Sequence, residues 1–194
     1  MILGITGGIA SGKSTVSAHL KSKNIPIVDA DAISKKIAGK GTPGAEAILK
    51  EFGPEFFVDG RIDRQKLGRY CFDNEERTQK LNSILHPLIF AEIEAQLEKY
   101  KDEPITVLDA PLLIESGLYE RCDKVLVVSC PKEKRIVRAI KRSNLPKLEV
   151  QKRMERQISE KERKKYADFV IDNSGSVEKT LKQTDKVLKE LMNG

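Results

Sequence analysis

Five short apolar runs punctuate the chain, and amphipathic stretches of helical period separate them. Residues 2–6, 25–28, 105–108, 124–128 and 169–171 are rich in Ile, Leu and Val and end at polar or turn residues. That is the form of strands buried on both faces. Between the first two runs, Val16 and Leu20 give residues 13–23 a helical stripe that closes near Ser22-Lys23-Asn24. After the second, Ile33 and Ile37 open another helix; Gly39, Gly41, Pro43 and Gly44 then mark a loop, and residues 45–52 read as helical. Residues 53–64 are turn-rich. From Asp63 to about Tyr100 the period is mostly helical, anchored by Leu67, Phe72, Leu81, Ile84, Leu85, Leu88, Ile89, Ile93 and Leu97. Pro87 is expected to break or kink this stretch after His86. Residues 132–165 read as a basic pair of helices interrupted at Pro146. Val177, Leu181, Thr184, Val187, Leu188 and Leu191 line a final amphipathic helix.

Strands alternating with helices predict an α/β fold built on a five-stranded parallel sheet flanked by helices. The expected organisation is one domain over 1–194. Its core covers about 1–30, 104–131 and 167–194. A helical insertion at about 32–103 suits a second substrate, and a lid spans about 132–166. Ligands of such sheets bind beyond the carboxyl ends of the strands. That rule gathers the loop after the first strand with Asp29-Ala30-Asp31, Asp109-Ala110-Pro111 and Asp172-Asn173-Ser174-Gly175.

The loop after the first strand carries the strongest chemical signal. Gly7 to Ser14 match G-x-x-x-x-G-K-[ST] directly after a strand and at the start of a helix, the setting in which this pattern cradles phosphates. Orphan N–H groups and the helix dipole favour an anion there. Gly8, Ile9, Ala10, Ser11, Gly12, Lys13, Ser14 and Thr15 are therefore candidate nucleotide contacts. Lys13 would reach the β- and γ-phosphates, and the Ser14 hydroxyl would hold Mg²⁺. Asp109, ending an apolar strand, has the form of a Walker B acid and is the second Mg²⁺ candidate, directly or through water.

Asp29 and Asp31 are spaced so that one can accept the proton of an acceptor hydroxyl while the other caps the next helix. Capping alone would account for the pair equally well. Arg135, Arg138, Arg142, Arg153 and Arg156 fall in the lid segment, where closure could bring cations onto a transferring phosphoryl group. Any one of them could instead sit on a solvated face. Arg142, just before the hinge candidate Asn144-Leu145-Pro146, is preferred. His86 precedes Pro87 in an apolar run, where a structural role is the commoner one. Arg61 and Arg64 flank a Gly-containing turn and could hold an anionic group or be solvated.

A net charge of +6 points to anionic partners. The most basic stretch, 132–165, has an aromatic only just beyond its end, at Tyr166, so small anions suit it better than nucleic acid. Cys71, Cys122 and Cys130 lack metal-ligand or C-x-x-C spacing and read as free thiols of a reducing compartment. Met1 leads straight into the first strand, and no apolar run nears the ~20 residues of a membrane span. The expectation is a cytoplasmic protein without a membrane partner. No Asn-Lys-x-Asp guanine reader or Ser-Gly-Gly-Gln transporter signature occurs.

Taken together, several stretches resemble the dephospho-CoA kinase family. They are Thr6 to Thr15, Val28-Asp-Ala-Asp31, Gly60-Arg-Ile-Asp-Arg64 with Leu67 and Phe72, Leu85-His-Pro-Leu88, Pro111-Leu-Leu-Ile-Glu115, Gln157, and Ala167-Asp168 running to Ile171-Asp-Asn173 and Gly175. They run in the family's order over nearly the whole chain. The resemblance implies ATP- and Mg²⁺-dependent phosphorylation of the ribose 3′-hydroxyl of dephospho-CoA, on a P-loop kinase fold with a CoA-binding insertion and a lid. It implies Asp31 as base, Lys13 and Arg142 as the other catalytic residues, and Asn173 and Gly175 beside the adenine. Dephospho-CoA would be bound by Asp31, Arg64, His86, Asp109 and Leu112, in a monomer or weak homo-oligomer. Other readings are a nucleoside monophosphate kinase and a nucleotide-dependent RNA-binding module. Ala10 stands where the family commonly has Gly, with little expected effect if its φ is negative; Ser143 stands where an Asp often follows the lid arginine.

Overall fold

A computed structural model describes residues 1–193. Five strands form one sheet in the order β2-β5-β1-β6-β7, with β1 at its centre. They are β1 (Ile2–Thr6), β2 (Ile27–Asp29), β5 (Thr106–Asp109), β6 (Lys124–Ser129) and β7 (Phe169–Asp172). β1 pairs in parallel with both neighbours: Leu3 lies opposite Val107 on one side and Lys124 on the other. Leu3, Ile5, Val107, Leu126 and Val128 are fully buried, as the unalternating apolar runs predict. Helix α1 (Lys13–Ser22) brings Val16 and Leu20 to this core, and α9 (Val177–Asn193) brings Val187, Leu188 and Leu191.

Two compact units emerge. One comprises Met1–Val28 and the chain from Tyr100; the other is Asp29–Lys99. The second holds α2 (Ala30–Ile37), α3 (Pro43–Phe52), α4 (Arg64–Phe72), α5 (Glu75–Glu98) and a hairpin of β3 (Phe57–Val58) and β4 (Arg61–Ile62). Its core is Ala38, Ile48, Phe56, Leu67, Cys71 and Leu81. Side chains set the helix starts: Asp29, Thr42, Asp63 and Asn74 each accept a first-turn backbone N–H. The hairpin turns at Asp59-Gly60, both at positive φ (50° and 74°), as a tight two-residue turn requires.

Three local expectations change. Pro87 lies inside α5, which runs through it unbroken. The lost N–H and ring clash cost ~3 kcal/mol, but Leu81, Ile93 and Leu97 on both sides of it are buried, each worth about 1.5–3 kcal/mol. Phe72 is 52% exposed while Cys71 is fully buried, because the buried face of α4 runs Leu67 to Cys71 at the i, i+4 spacing. The basic segment forms three helices rather than two: α6 (Lys132–Ser143), α7 (Lys147–Glu155) and α8 (Glu160–Lys164). Asn144 ends α6 in the left-handed conformation (φ 53°), and Ser159 caps α8 through the Glu162 amide.

Candidate active site

The phosphate loop leaves the carboxyl end of β1 and feeds into α1. Ser11 N–H donates to the Gly8 carbonyl at 2.9 Å and tightens the turn. Gly12 has φ 99°, and any Cβ there would overlap the Asn173 side chain, so both backbone and space demand glycine. Lys13 leads α1 and pairs with Asp109 Oδ1 at the end of β5. Asp109 Oδ2 accepts the Ser17 hydroxyl at 2.6 Å. Both carboxylate oxygens of a residue only 6% exposed are thus engaged, as burial of a charge requires. Ser17 was not singled out from the sequence; its signal is a hydroxyl on the buried stripe of α1, one turn past Lys13. Ser14 is exposed beside this pair.

Asn173 holds the loop from the far end of the chain. Its Nδ2 donates to the Ser11 carbonyl at 2.7 Å, and its Oδ1 accepts the Thr180 hydroxyl at 2.7 Å. The side chain expected beside an adenine therefore spends both amide ends inside the protein. Thr180, fully buried on α9, is a second residue the sequence reading passed over. Gly175 is exposed.

The segment after β6 grips the other side of the loop. Gln157 Oε1 accepts the Ile9 N–H at 2.9 Å, which gives that motif residue a definite job. Ile9 and Ala10 pack on a small core of Ile136, Ala139, Val150 and Met154 from α6 and α7. Ala10 has φ 59°, so the negative φ on which a small effect depended is not what this residue adopts. The left-handed backbone costs about 1–2 kcal/mol, and the methyl, which is only partly buried, offsets less than the ~0.8 kcal/mol of a fully buried group. Arg138 donates to the Asn173 carbonyl at 3.0 Å. Arg142, the preferred lid arginine, is exposed, and its side chain makes no hydrogen bond or ion pair with a described residue.

Two other arginines are the buried ones. Arg163, absent from the sequence reading, is 1% exposed and lies between Glu115 (3.5 Å) and Glu160 (3.4 Å), donating also to the Ile158 carbonyl. Arg135 is 8% exposed, and its guanidinium occupies the space a Cβ at Gly8 would need.

Leu112, after β5, is 48% exposed although Leu113 beside it is fully buried, so an apolar side chain stands outward near Asp109. Within the second unit, Asp29 Oδ1 caps α2 by accepting the Ala32 N–H at 3.0 Å. Asp31 is exposed in the first turn of that helix. Arg64 donates to the Lys35 carbonyl at 2.9 Å, tying α4 to the end of α2. His86 stacks on Phe90 with centroids 5.3 Å apart, and burial lowers its pKa. The three cysteines are free, and burial raises each thiol, Cys122 to about 12, so none has the character of a thiolate nucleophile.

The donors at the loop suit a hard cation: the Ser14 hydroxyl is exposed, and Asp109 is a carboxylate. Among the described residues no group of three His, Cys, Asp or Glu could form a protein cage for a metal.

The dephospho-CoA kinase family model matches residues 1–179. A dephospho-CoA kinase of Bacillus cereus is 42% identical over 193 residues, covering 98% of this chain and 96% of the relative. Among solved structures, a Thermus thermophilus protein superposes with a TM-score of 0.89 at 36% identity, over 100% of this chain and 98% of its own. The dephospho-CoA kinase of Campylobacter jejuni does so with a TM-score of 0.74 at 32% identity, over 100% and 98%. A P-loop buttressed by Asn173, a lysine held by a strand-end aspartate, and this match across almost the whole chain place the protein in the dephospho-CoA kinase family.

Proposed function

We propose that this chain phosphorylates the ribose 3′-hydroxyl of dephospho-CoA with ATP, giving coenzyme A and ADP, the final step of coenzyme A synthesis. The observation that carries this reading is the family match over residues 1–179, which contains the phosphate loop and the Asp109 pair. Lys13 and the loop amides are the proposed holders of the ATP phosphates, with Gly8 to Thr15 as the contact run and Gly175 toward the base. Asn173 is read as the buttress of that loop. Mg²⁺ would be held at Ser14 and Asp109 and would neutralise charge on the phosphates. Asp109 already binds Lys13 and Ser17, so it would hold the ion through water or after Lys13 turned toward phosphate.

Asp31 is the proposed base. A ribose hydroxyl is a weak acid, and an ionised carboxylate within hydrogen-bond reach orients it and takes its proton. Arg64, His86 and Leu112 are proposed acceptor contacts. Residues 32–103 are proposed as the CoA-binding part and 132–166 as the lid that carries Arg142.

Among the described residues no helix is long and apolar enough to cross a membrane. The three free cysteines support a cytoplasmic setting, and we expect a monomer or weak homo-oligomer that does not bind nucleic acid. The test is an acceptor panel of dephospho-CoA, AMP, CMP and a small sugar, read as ADP release. Dephospho-CoA alone should drive turnover; turnover on a nucleoside monophosphate instead overturns the reading.

A further inference from the structure

We propose that Arg135 is a phosphate-binding residue of the nucleotide site, its buried guanidinium set over Gly8 to contact the phosphate chain of a bound nucleoside triphosphate. This rests on the reading of the loop as the ATP site. Arg135 sits in the first turn of α6, its backbone N–H held by the Pro131 carbonyl at 3.0 Å. Its side chain extends to the second residue of the phosphate loop, so closely that a methyl on Gly8 would overlap the guanidinium.

The charge balance around Gly8 carries the inference. Two arginines converge there; Arg163 Nη1 lies 3.3 Å from the same Cβ position. Arg163 has two carboxylates, Glu115 and Glu160, and a backbone carbonyl. Arg135, also buried at 8% exposed, pairs with no carboxylate among the described residues, and its Nε is buried without a hydrogen-bond partner. An unpaired buried charge is strongly unfavourable, so a protein that keeps one gains by it in another state. Lys13 and Arg138 each already have an acceptor of their own, Asp109 and the Asn173 carbonyl, and Glu155, Glu160 and Asp172 line the cavity that Arg135 also lines without forming an ion pair with it. An anion on the phosphate loop would supply the missing partner, and a guanidinium fork matches phosphate oxygens. A purely structural arginine would look like Arg163.

Arg135→Gln and Arg135→Lys, compared with wild type, test this. Binding of ATP and of inorganic tripolyphosphate is measured by calorimetry, and melting temperatures are taken with and without each. Arg135→Gln should weaken both ligands roughly 10- to 100-fold, the worth of a hydrogen bond to a charged group. Its melting temperature without ligand should hold or rise, because an uncompensated charge has gone. Arg135→Lys should recover part of the affinity, and it serves alone if the Gln variant does not fold. Unchanged affinity for both ligands overturns the proposal. So does weakened ATP with unchanged tripolyphosphate, which would place Arg135 at the base or ribose. A lower melting temperature with an unchanged ligand-induced shift would make it structural. If wild type binds neither ligand, the ATP reading of the loop fails first, and this inference with it.

Discussion

Asp29 and Asp31 stand two residues apart, and the structure gives the cap to Asp29 alone. That division sharpens a test of the proposed base. Asp31→Asn keeps shape and removes basicity, so kcat should fall by about 10²–10⁴ with both substrates still bound. Asp29→Asn retains a good capping side chain and should cost far less; the reverse ranking would exchange their roles. The Arg142 side chain is exposed and makes no hydrogen bond or ion pair with a described residue, so Arg142→Ala should change stability by less than about 0.5 kcal/mol. If it acts on charge developing during transfer, kcat should drop much more than ATP affinity; a change confined to the ATP dissociation constant would refute that role. His86 titrates in a predictable sense. Burial holds its folded pKa below the ordinary 6.5, so the unfolded chain binds more protons once pH falls below that value. His86 should therefore subtract stability progressively as pH drops from about 6.5. Urea titrations at stepped pH should show a shallower acid loss in His86→Leu than in wild type.

At the scale of elements, α5 is the test case for local rules against packing. Pro87 is exposed, and nothing in its side chain explains its place in the helix. Pro87→Ala restores an intrahelical N–H, and thermal melts should show a gain of about 1–3 kcal/mol; a loss would mean the ring packs in a way the helix needs. The sheet was legible because each strand is a short, mostly apolar run ending at polar or turn residues, and the phosphate loop because its glycines and lysine follow one. The Pro87 position was misread because the sequence displays the missing N–H but not the burial of Leu81, Ile93 and Leu97 that outweighs it. The third helix of the basic segment had a readable start, Ser159-Glu160-Lys161-Glu162, a capping pattern masked by the surrounding charge. What could not be read was which arginine goes inside. Arg135 and Arg142 lie on one helix two turns apart and look alike in sequence. They also share a helix face, so helical phase cannot separate them; Arg135 is the one whose guanidinium lies against Gly8 of the phosphate loop.

For the whole molecule, the sheet order joins distant parts of the chain. β1 sits between β5 and β6, and the Ser11 carbonyl is capped by Asn173, 162 residues later. A chain truncated after residue 166 loses β7, Asn173 and α9 together, and with them Ile171, Val187, Leu188 and Leu191 of the main core. It should be digested rapidly by protease and bind no ATP in calorimetry; nucleotide binding at full affinity would show the buttress to be dispensable. The same link has a meaning during synthesis on the ribosome. The phosphate loop is among the first segments made, yet the residue that braces it arrives 162 residues later, about 8–30 s at 5–20 residues per second. If the truncated chain binds no ATP, the nascent chain carries a recognisable nucleotide motif without function throughout that interval, and competence to bind ATP reports that synthesis has passed Asn173.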